Sequence, residues 1–423
     1  MVFPYCWANA STKMILAASL FLLSHCAIGQ RSAWIATWAT SVEAADADPD
    51  EPLLNLDNQT VRERARVTLG GPQIRIRLTN EYSSSPVLVG KVSVGIANSA
   101  AGVVSGSLRG VTFGGKTAVL IPPGAPALSD PIDLAVTSGS EVAISLYFPK
   151  RVASVTWHGL ALKDTAISPQ GDHTEGISIE GGRKSASTVF LSQILVPASS
   201  ARRVIVAFGD SLVDGDKSTP ETDHTWPSDL FRRLQKTHDG ALFAVVNAGV
   251  AGNRLLSNGP VASLGISGLA RFERDALEVP GVTDIVLYEG TNDIGFPGAK
   301  LGDFLLAPAT DAPTVDEIIA GYQQLIGRAH ARGIRIIGCT IMPTEGATFT
   351  DYHTAPKEQA RQTINQWIRT SKLFDAVIDF DAVMRDPEHP TRLIPTLASE
   401  DHLHPNDEGY HRMADAIDLS LFR

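Results

Sequence analysis

The sequence predicts an antiparallel β-sandwich followed by a three-layer α/β/α domain built on a parallel sheet. Three observations predict it: a period-2 pattern in the first part, continuous apolar runs alternating with amphipathic stretches in the second, and a short polar seam between them. From about residue 31 to 198, short runs are separated by Gly, Pro, Ser and Asn clusters. They lie at 62–69 (RERARVTL), 73–78 (QIRIRL), 87–96, 119–121, 132–136 and 142–148. In QIRIRL the isoleucines and leucine fall on one face and the polar groups on the other, the alternation of a half-buried strand. Turn signals every ten residues or so complete the sandwich pattern. From residue 203 the apolar runs 204–208, 243–246, 284–288, 335–339 and 376–380 alternate with stretches of helical period at 226–236, 315–332 and 357–371, and a last helix is expected from 407 to 421. Strands that are apolar throughout are buried on both faces, which calls for helices above and below a parallel sheet. The seam is 197–203 (PASSARR), which divides the chain into residues 30–200 and 201–423.

The N-terminus carries a third kind of segment. Lys13 precedes an apolar run at 14–23, and the small residues Ala27 and Gly29 follow. That order predicts a secretory signal peptide over 1–29, cleaved before Gln30, and a secreted or periplasmic mature protein. A membrane anchor is the alternative, but a span needs about 20 apolar residues. A lipid-modified Cys26 is disfavoured by His25, which stands where a small residue is expected. Of three cysteines only Cys339 then remains, in the apolar setting RIIGCTI of a buried strand, so no internal disulfide is available. The 423 residues carry a net charge of −10 without a Lys/Arg-rich run, which argues against nucleic acid and anionic membrane surfaces as partners. A hydrophobic content of 43% excludes the disordered class.

The chemistry-bearing residues sit where the predicted strands end, the edge at which open α/β sheets bind ligands. The first strand ends in Gly209-Asp210-Ser211-Leu212, which places a hydroxyl nucleophile at a sharp turn; taken alone the GDS triplet is a weak signal and reads as an Asp-Ser turn or helix cap. The second ends in Asn247-Ala248-Gly249-Val250-Ala251-Gly252-Asn253, whose glycines allow a bare N–H of Gly252 to face the site. The third ends in Gly290-Thr291-Asn292-Asp293, from which the Asn292 amide can meet developing negative charge. Before the last helix stands Asp401-His402-Leu403-His404. An Asp three residues ahead of a His can fold back onto its Nδ1–H and leave Nε2 for the Ser211 proton. His402 is set aside, because it directly follows Asp401 and the two side chains diverge in an extended stretch.

Four signals in this order resemble the GDSL, or SGNH, hydrolase superfamily, whose blocks contain Ser, Gly, Asn and His. They map onto Ser211, Gly252, Asn292 and His404, with Asp401 as the aspartate of the D-x-x-H block, and the resemblance covers 203–423. It implies a flavodoxin-like hydrolase domain and a serine esterase in which Ser211, Asp401 and His404 form the catalytic triad and Ser211, Gly252 and Asn292 form the oxyanion hole. Trp34–Trp38 (WIATW), TNEY at 79–82, LARFERD at 269–275 and HLHPNDEGY at 402–410 resemble a bacterial branch of arylesterases and acylhydrolases with an N-terminal, jelly-roll-like β-domain.

Other chemistries lack their motifs: there is no G-x-S-x-G elbow, no H-E-x-x-H, no zinc-spaced Cys/His cluster and no G-x-x-x-x-G-K. No metal and no cofactor are expected. The charged loop 214–223 is expected to be solvated, and His330 to be a surface residue at a helix end. Trp34 and Trp38 are expected to be buried interface aromatics rather than a sugar platform. The expected reaction is hydrolysis of a carboxylic ester through an acyl-enzyme, on a small-molecule or polysaccharide substrate, with no stable membrane anchor. Acetylated carbohydrate is the first substrate expectation and a lipid or lysophospholipid ester the second. From a different class, the chain would be a carbohydrate-binding protein with an inactive hydrolase domain. PASSARR lacks the length of a free linker, which predicts a rigid two-domain body.

Overall fold

The computed structural model describes residues 34–198 and 202–422. The expected signal segment and the middle of the PASSARR seam lie outside the described residues. The N-terminal part holds two main antiparallel sheets. Four strands run in the order Trp34–Ala39, Leu191–Pro197, Arg75–Thr79 and Pro126–Leu128. Six more run in the order Arg183–Ser185, Thr165–Gln170, Gln59–Arg66, Glu141–Phe148, Lys91–Ile96 and Arg109–Gly110. The predicted alternation holds: Ile74, Ile76 and Leu78 share a core with Val61, Val94 and Ile144 of the other sheet. Two expected runs differ. The stretch 87–96 breaks at Gly90, where a Cβ would press on Pro149, and Val87–Val89 leaves to pair with Val119–Ile121. Residues 132–136 form only isolated bridges, to Ile74 and Gly71.

The C-terminal part is a five-stranded parallel sheet. In chain order its strands are Arg203–Gly209, Phe243–Gly249, Val282–Tyr288, Arg335–Cys339 and Ala376–Ile378, and they stand side by side as 2-1-3-4-5. This is the flavodoxin-like order, with its switch point between the first and third strands. Alternate residues of the first strand serve opposite faces. Ile205 and Ala207 pack with Trp226, Leu230 and Tyr410, from the helices Trp226–Gln235 and Asp407–Asp415. Val204, Val206 and Phe208 join Phe272, Leu325 and Ile364 on the other face, where the helices Val315–His330 and Ala355–Thr370 lie. Local signals set the helix ends. Thr314 and Glu317 form a reciprocal capping box, and the Asn406 side chain accepts from Gly409 N. The last helix is shorter than expected, ending at Asp415 before a separate turn at Leu419–Phe422.

The two parts share one continuous core, in which Ile35, Val67 and Leu195 join Val204, Val206 and Leu277. The strand Trp34–Ala39 packs along the second parallel strand, with Ala36 N donating to Pro280 O at 2.8 Å. Trp34 and Trp38 are half-buried in this region, with the Arg75 guanidinium 4.9 Å from the Trp34 ring centre. The loop 214–223 departs from its expected solvated state. Glu221 pairs with Arg64 at 2.5 Å, Asp223 with Arg66 at 2.6 Å and with Lys163 at 3.0 Å, and Asp214 and Ser218 are buried. Its acidic residues therefore serve as a docking strip for basic side chains of the β-region.

Phe231, Val245, Val246 and Val279 of the C-terminal half line cavities closed on their other side by the β-region, and each is at most 5% exposed. Each contributes about 1.5–3 kcal/mol when buried, so uncovering the group costs an amount comparable to a domain's whole stability of about 5–15 kcal/mol. Residues 203–423 expressed alone should therefore be insoluble or lack a cooperative thermal transition. A soluble fragment with a sharp transition by circular dichroism would contradict this interdependence.

Candidate active site

The first parallel strand delivers Ser211. Its carboxyl end runs so close to the third strand that a Cβ on Gly209 would lie 1.9 Å from Tyr288 O, so only glycine fits. Asp210 then caps the short helix Ser211–Asp214, its Oδ1 accepting from Leu212 N at 3.0 Å. Ser211 is the first residue of that helix, where N–H groups have no intrahelical partner.

The loop before the last helix delivers Asp401 and His404. Asp401 Oδ1 accepts from Leu403 N and His404 N, both at 2.9 Å, and from Ser399 Oγ at 2.8 Å. These bonds fix the carboxylate so that Oδ2 accepts from His404 Nδ1 at 2.7 Å. With its proton on Nδ1, the ring presents Nε2 as acceptor to Ser211 Oγ, 2.8 Å away. Ser211, Asp401 and His404 are thus joined in one hydrogen-bonded chain, although Ser211 and His404 are 193 residues apart. Burial opposes ionisation of Asp401, but His404 and the backbone donors outweigh it and hold its pKa below the usual carboxylate range. Burial likewise disfavours protonated His404; Asp401, and Asp216 at 3.7 Å, outweigh it and raise the imidazole pKa.

Gly252 and Asn292 meet at the neighbouring strand ends. Gly252 adopts φ +73°, and a Cβ there would lie 2.7 Å from the Leu264 side chain. Ala251 N donates to Asp214 Oδ2 at 3.0 Å, anchoring the turn to the Ser211 helix. Among the described residues no acceptor takes the N–H of Gly252 or of Ser211. Asn292 Nδ2 donates to Asn253 O at 2.9 Å and its Oδ1 accepts from Tyr352 OH at 2.7 Å. Arg271 lies beneath, donating to Asn253 Oδ1, Ala248 O and Gly209 O at 2.7, 2.9 and 2.7 Å. Deeper still, burial raises the pKa of Asp210 to about 7, and also raises Glu289 and Asp293.

Of the five residues singled out from the sequence, Ser211, His404 and Asp401 form one bonded chain, Asn292 is bonded to Asn253 next to Gly252, and the Gly252 turn is tied to the Ser211 helix through Ala251 N and Asp214. Tyr352, Ser399 and Asp214 were not anticipated. Tyr352 and Ser399 lie in loops without a motif; Asp214 was assigned to the solvated loop. Arg271 falls inside LARFERD, where its burial was not legible. His402 is exposed, with φ +57°, and stands outside the chain of bonds. His330 bonds Asp375 at 2.9 Å on the surface, and Cys339 is buried, which pushes its thiol pKa up.

Residues 207–412 match the model of the GDSL-like lipase/acylhydrolase family. No curated protein sequence matches the chain. Among solved structures it is similar to a lipolytic protein of the G-D-S-L family from Desulfitobacterium hafniense, with 21% identity over 51% of this chain and 97% of that one and a TM-score of 0.36. A GDSL-like lipase from Bacteroides thetaiotaomicron gives 19% identity over 53% and 90% of the two chains, with a TM-score of 0.38. A variant of an acetyl xylan esterase from Geobacillus stearothermophilus gives 20% over 51% and 92%, also at 0.38.

Two outcomes follow from the site's geometry and charges. A base at His404 acts only when neutral, and its pKa is raised above 6.5, so kcat/KM for a chromogenic ester should rise with pH through a midpoint above 6.5. Asp401→Asn should move that midpoint down; an unmoved rising limb would separate it from His404. Asn292→Ala should lower kcat by roughly 10²–10³ with little change in KM, the usual cost of one oxyanion donor. A normal kcat with weakened KM would make Asn292 a substrate contact instead.

Proposed function

We propose that this chain, whose residues 207–412 belong to the GDSL-like lipase/acylhydrolase family, hydrolyses small acyl esters of polyhydroxy compounds through an acyl-enzyme on Ser211. The family assignment makes it a carboxylic ester hydrolase. The observation that carries the mechanism is the bonded chain Asp401–His404–Ser211. His404 Nε2 removes the hydroxyl proton as Oγ attacks the ester carbonyl, and Asp401 stabilises the imidazolium. The Ser211 and Gly252 N–H groups and the second Nδ2 hydrogen of Asn292 receive the oxyanion. His404 protonates the leaving alcohol as the carbonyl reforms. A water molecule, deprotonated by the same nitrogen, then attacks the acyl carbon and returns Ser211. These steps call for no metal or organic cofactor.

Acetylated carbohydrate is the proposed substrate. Ser211 is 7% exposed and His404 and Asn292 4% each, with Leu264 seated against the Gly252 turn, an enclosure that suits a short acyl group. An exported location, expected from residues 1–29, is part of the same proposal and fits an extracellular or periplasmic polysaccharide. A lipid ester is the second reading. Leu301, Phe304 and Leu305 project from the hairpin of Lys300–Leu301 and Phe304–Leu305, next to the apolar cluster of Phe296, Leu306 and Leu403 beside His404.

Purified protein should hydrolyse 4-nitrophenyl acetate faster than the octanoate and release acetate from acetylated xylo-oligosaccharides. Preference for the octanoate would favour the lipid reading. Ser211→Ala and His404→Ala should each remove nearly all of this activity while keeping the wild-type melting transition. More than a tenth of wild-type kcat in clean Ser211→Ala protein would overturn the assignment.

A further inference from the structure

The segment Thr156–His158 of the β-region brings a histidine into the catalytic half. His158 is buried between two carboxylates. Its Nε2 lies 3.1 Å from Asp214 Oδ1, and its Nδ1 lies 3.3 Å from Glu43 Oε1, both carboxylate side chains being 3% exposed. Asp214 is the last residue of the helix that begins with Ser211, and its other oxygen, Oδ2, accepts from Ala251 N. The next residue is Gly252. A continuous path therefore runs from Glu43 through His158 and Asp214 to the peptide unit ahead of the free Gly252 N–H. We propose that His158 is a positioning residue for ester hydrolysis, which pins Asp214 so that the Ala251–Gly252 turn and the Ser211 helix hold the oxyanion geometry.

Chemistry and packing support this assignment. A buried carboxylate without a partner is costly, and one that swings to find water would release Ala251 N. Burial opposes charge on His158, yet Asp214 and Glu43 outweigh it and raise its pKa well above 6.5, which favours the charged ring. The ring stands at ion-pair distance from both carboxylates, 3.1 Å from Asp214 and 3.3 Å from Glu43, and so offsets their charge. The ring's surroundings are confined: Nε2 is held by a hydrogen bond with Leu160 O at 3.1 Å, which fixes the ring beside Asp214, and the adjoining cavity of about 120 Å³ is lined by Arg64, Arg66, Lys163 and Asp223, which pair among themselves and with Glu141 and Glu221. A second support reaches the same turn from the β-region. Asp46 accepts from Ala262 N at 2.9 Å and from Ser263, fixing the segment whose Leu264 packs on Gly252.

This inference rests on the proposed esterase activity, and the test separates the two. With 4-nitrophenyl acetate, measured 10 °C or more below each protein's melting temperature, His158→Ala should lower kcat roughly 10- to 100-fold, less than the 10²–10³ of a lost donor, with KM within twofold. His158→Gln, which keeps a donor toward Asp214 without the charge, should fall between wild type and His158→Ala. Inhibition by phenylboronic acid, which places an oxygen in the oxyanion site, should weaken in step with kcat/KM. A lower melting temperature with unchanged kcat, a change confined to KM, or unchanged boronate inhibition beside a lowered kcat would each overturn the inference. If His158→Ala is insoluble, His158→Gln decides by the same criteria. Wild-type protein without Ser211-dependent hydrolysis would overturn the esterase reading and this inference together. Active wild type, inactive Ser211→Ala and fully active His158 variants would overturn this inference alone.

Discussion

The buried guanidinium of Arg271 is the interaction on which the catalytic edge depends. The loops after the first two strands leave the sheet here, where water is scarce and backbone carbonyls need partners; Gly209 O also accepts from Val250 N at 3.0 Å. Arg271, 1% exposed, satisfies Gly209 O and Ala248 O at the first two strand ends and grips Asn253 in the turn after the second. Its plane lies 4.0 Å from the Phe208 ring centre, a contact that a lysine would reproduce poorly. Five rigid donors match this set of acceptors, which is why one residue can hold the Ser211 strand and the Gly252 turn in register.

The site also divides its charges by depth. Asp401 receives three donors besides the imidazole and remains ionised at the rim. Hydrogen bonds to charged groups contribute about 1.5–3 kcal/mol each, enough to offset a carboxylate's partial burial. Glu289 lies 3.5 Å from Arg271, and neither of its oxygens has a hydrogen-bond partner among the described residues, so burial drives it toward its neutral form. The field at His404 is therefore dominated by Asp401 and Asp216 rather than by the larger acidic group below.

The fold was legible in the sequence because each layer carried its own period. QIRIRL alternates and forms a strand, VIVAF does not alternate and lies in the middle of the parallel sheet, and the amphipathic stretches became helices with recognisable caps. Ser211, Asp401 and His404 were legible because their spacing and strand-end position are local. What was hidden is non-local. Tyr352 reaches Asn292 from a loop 60 residues away, and Asp214 looked like one acid among several in a hydrophilic loop. The pairing of that loop with Arg64, Arg66 and Lys163 joins residues up to 157 positions apart, and no window of sequence contains both partners. The break at Gly90 was likewise invisible, since it depends on where Pro149 packs.

The 193-residue span between the Ser211 hydroxyl and the His404 imidazole has a kinetic meaning. Arg203 Nη1 also donates to Phe422 O, closing a loop of 219 residues. Contacts of such separation form late, because the chain's loop entropy must be overcome before they contribute. The parallel sheet can collapse around Ile205 and Ala207 while the Asp401–His404 loop is still unplaced. Recovery of a near-ultraviolet signal from buried Trp226 would then precede recovery of turnover during refolding. Catalysis in this architecture is a property of the last contacts made, so its return marks the completed native state rather than the onset of compaction.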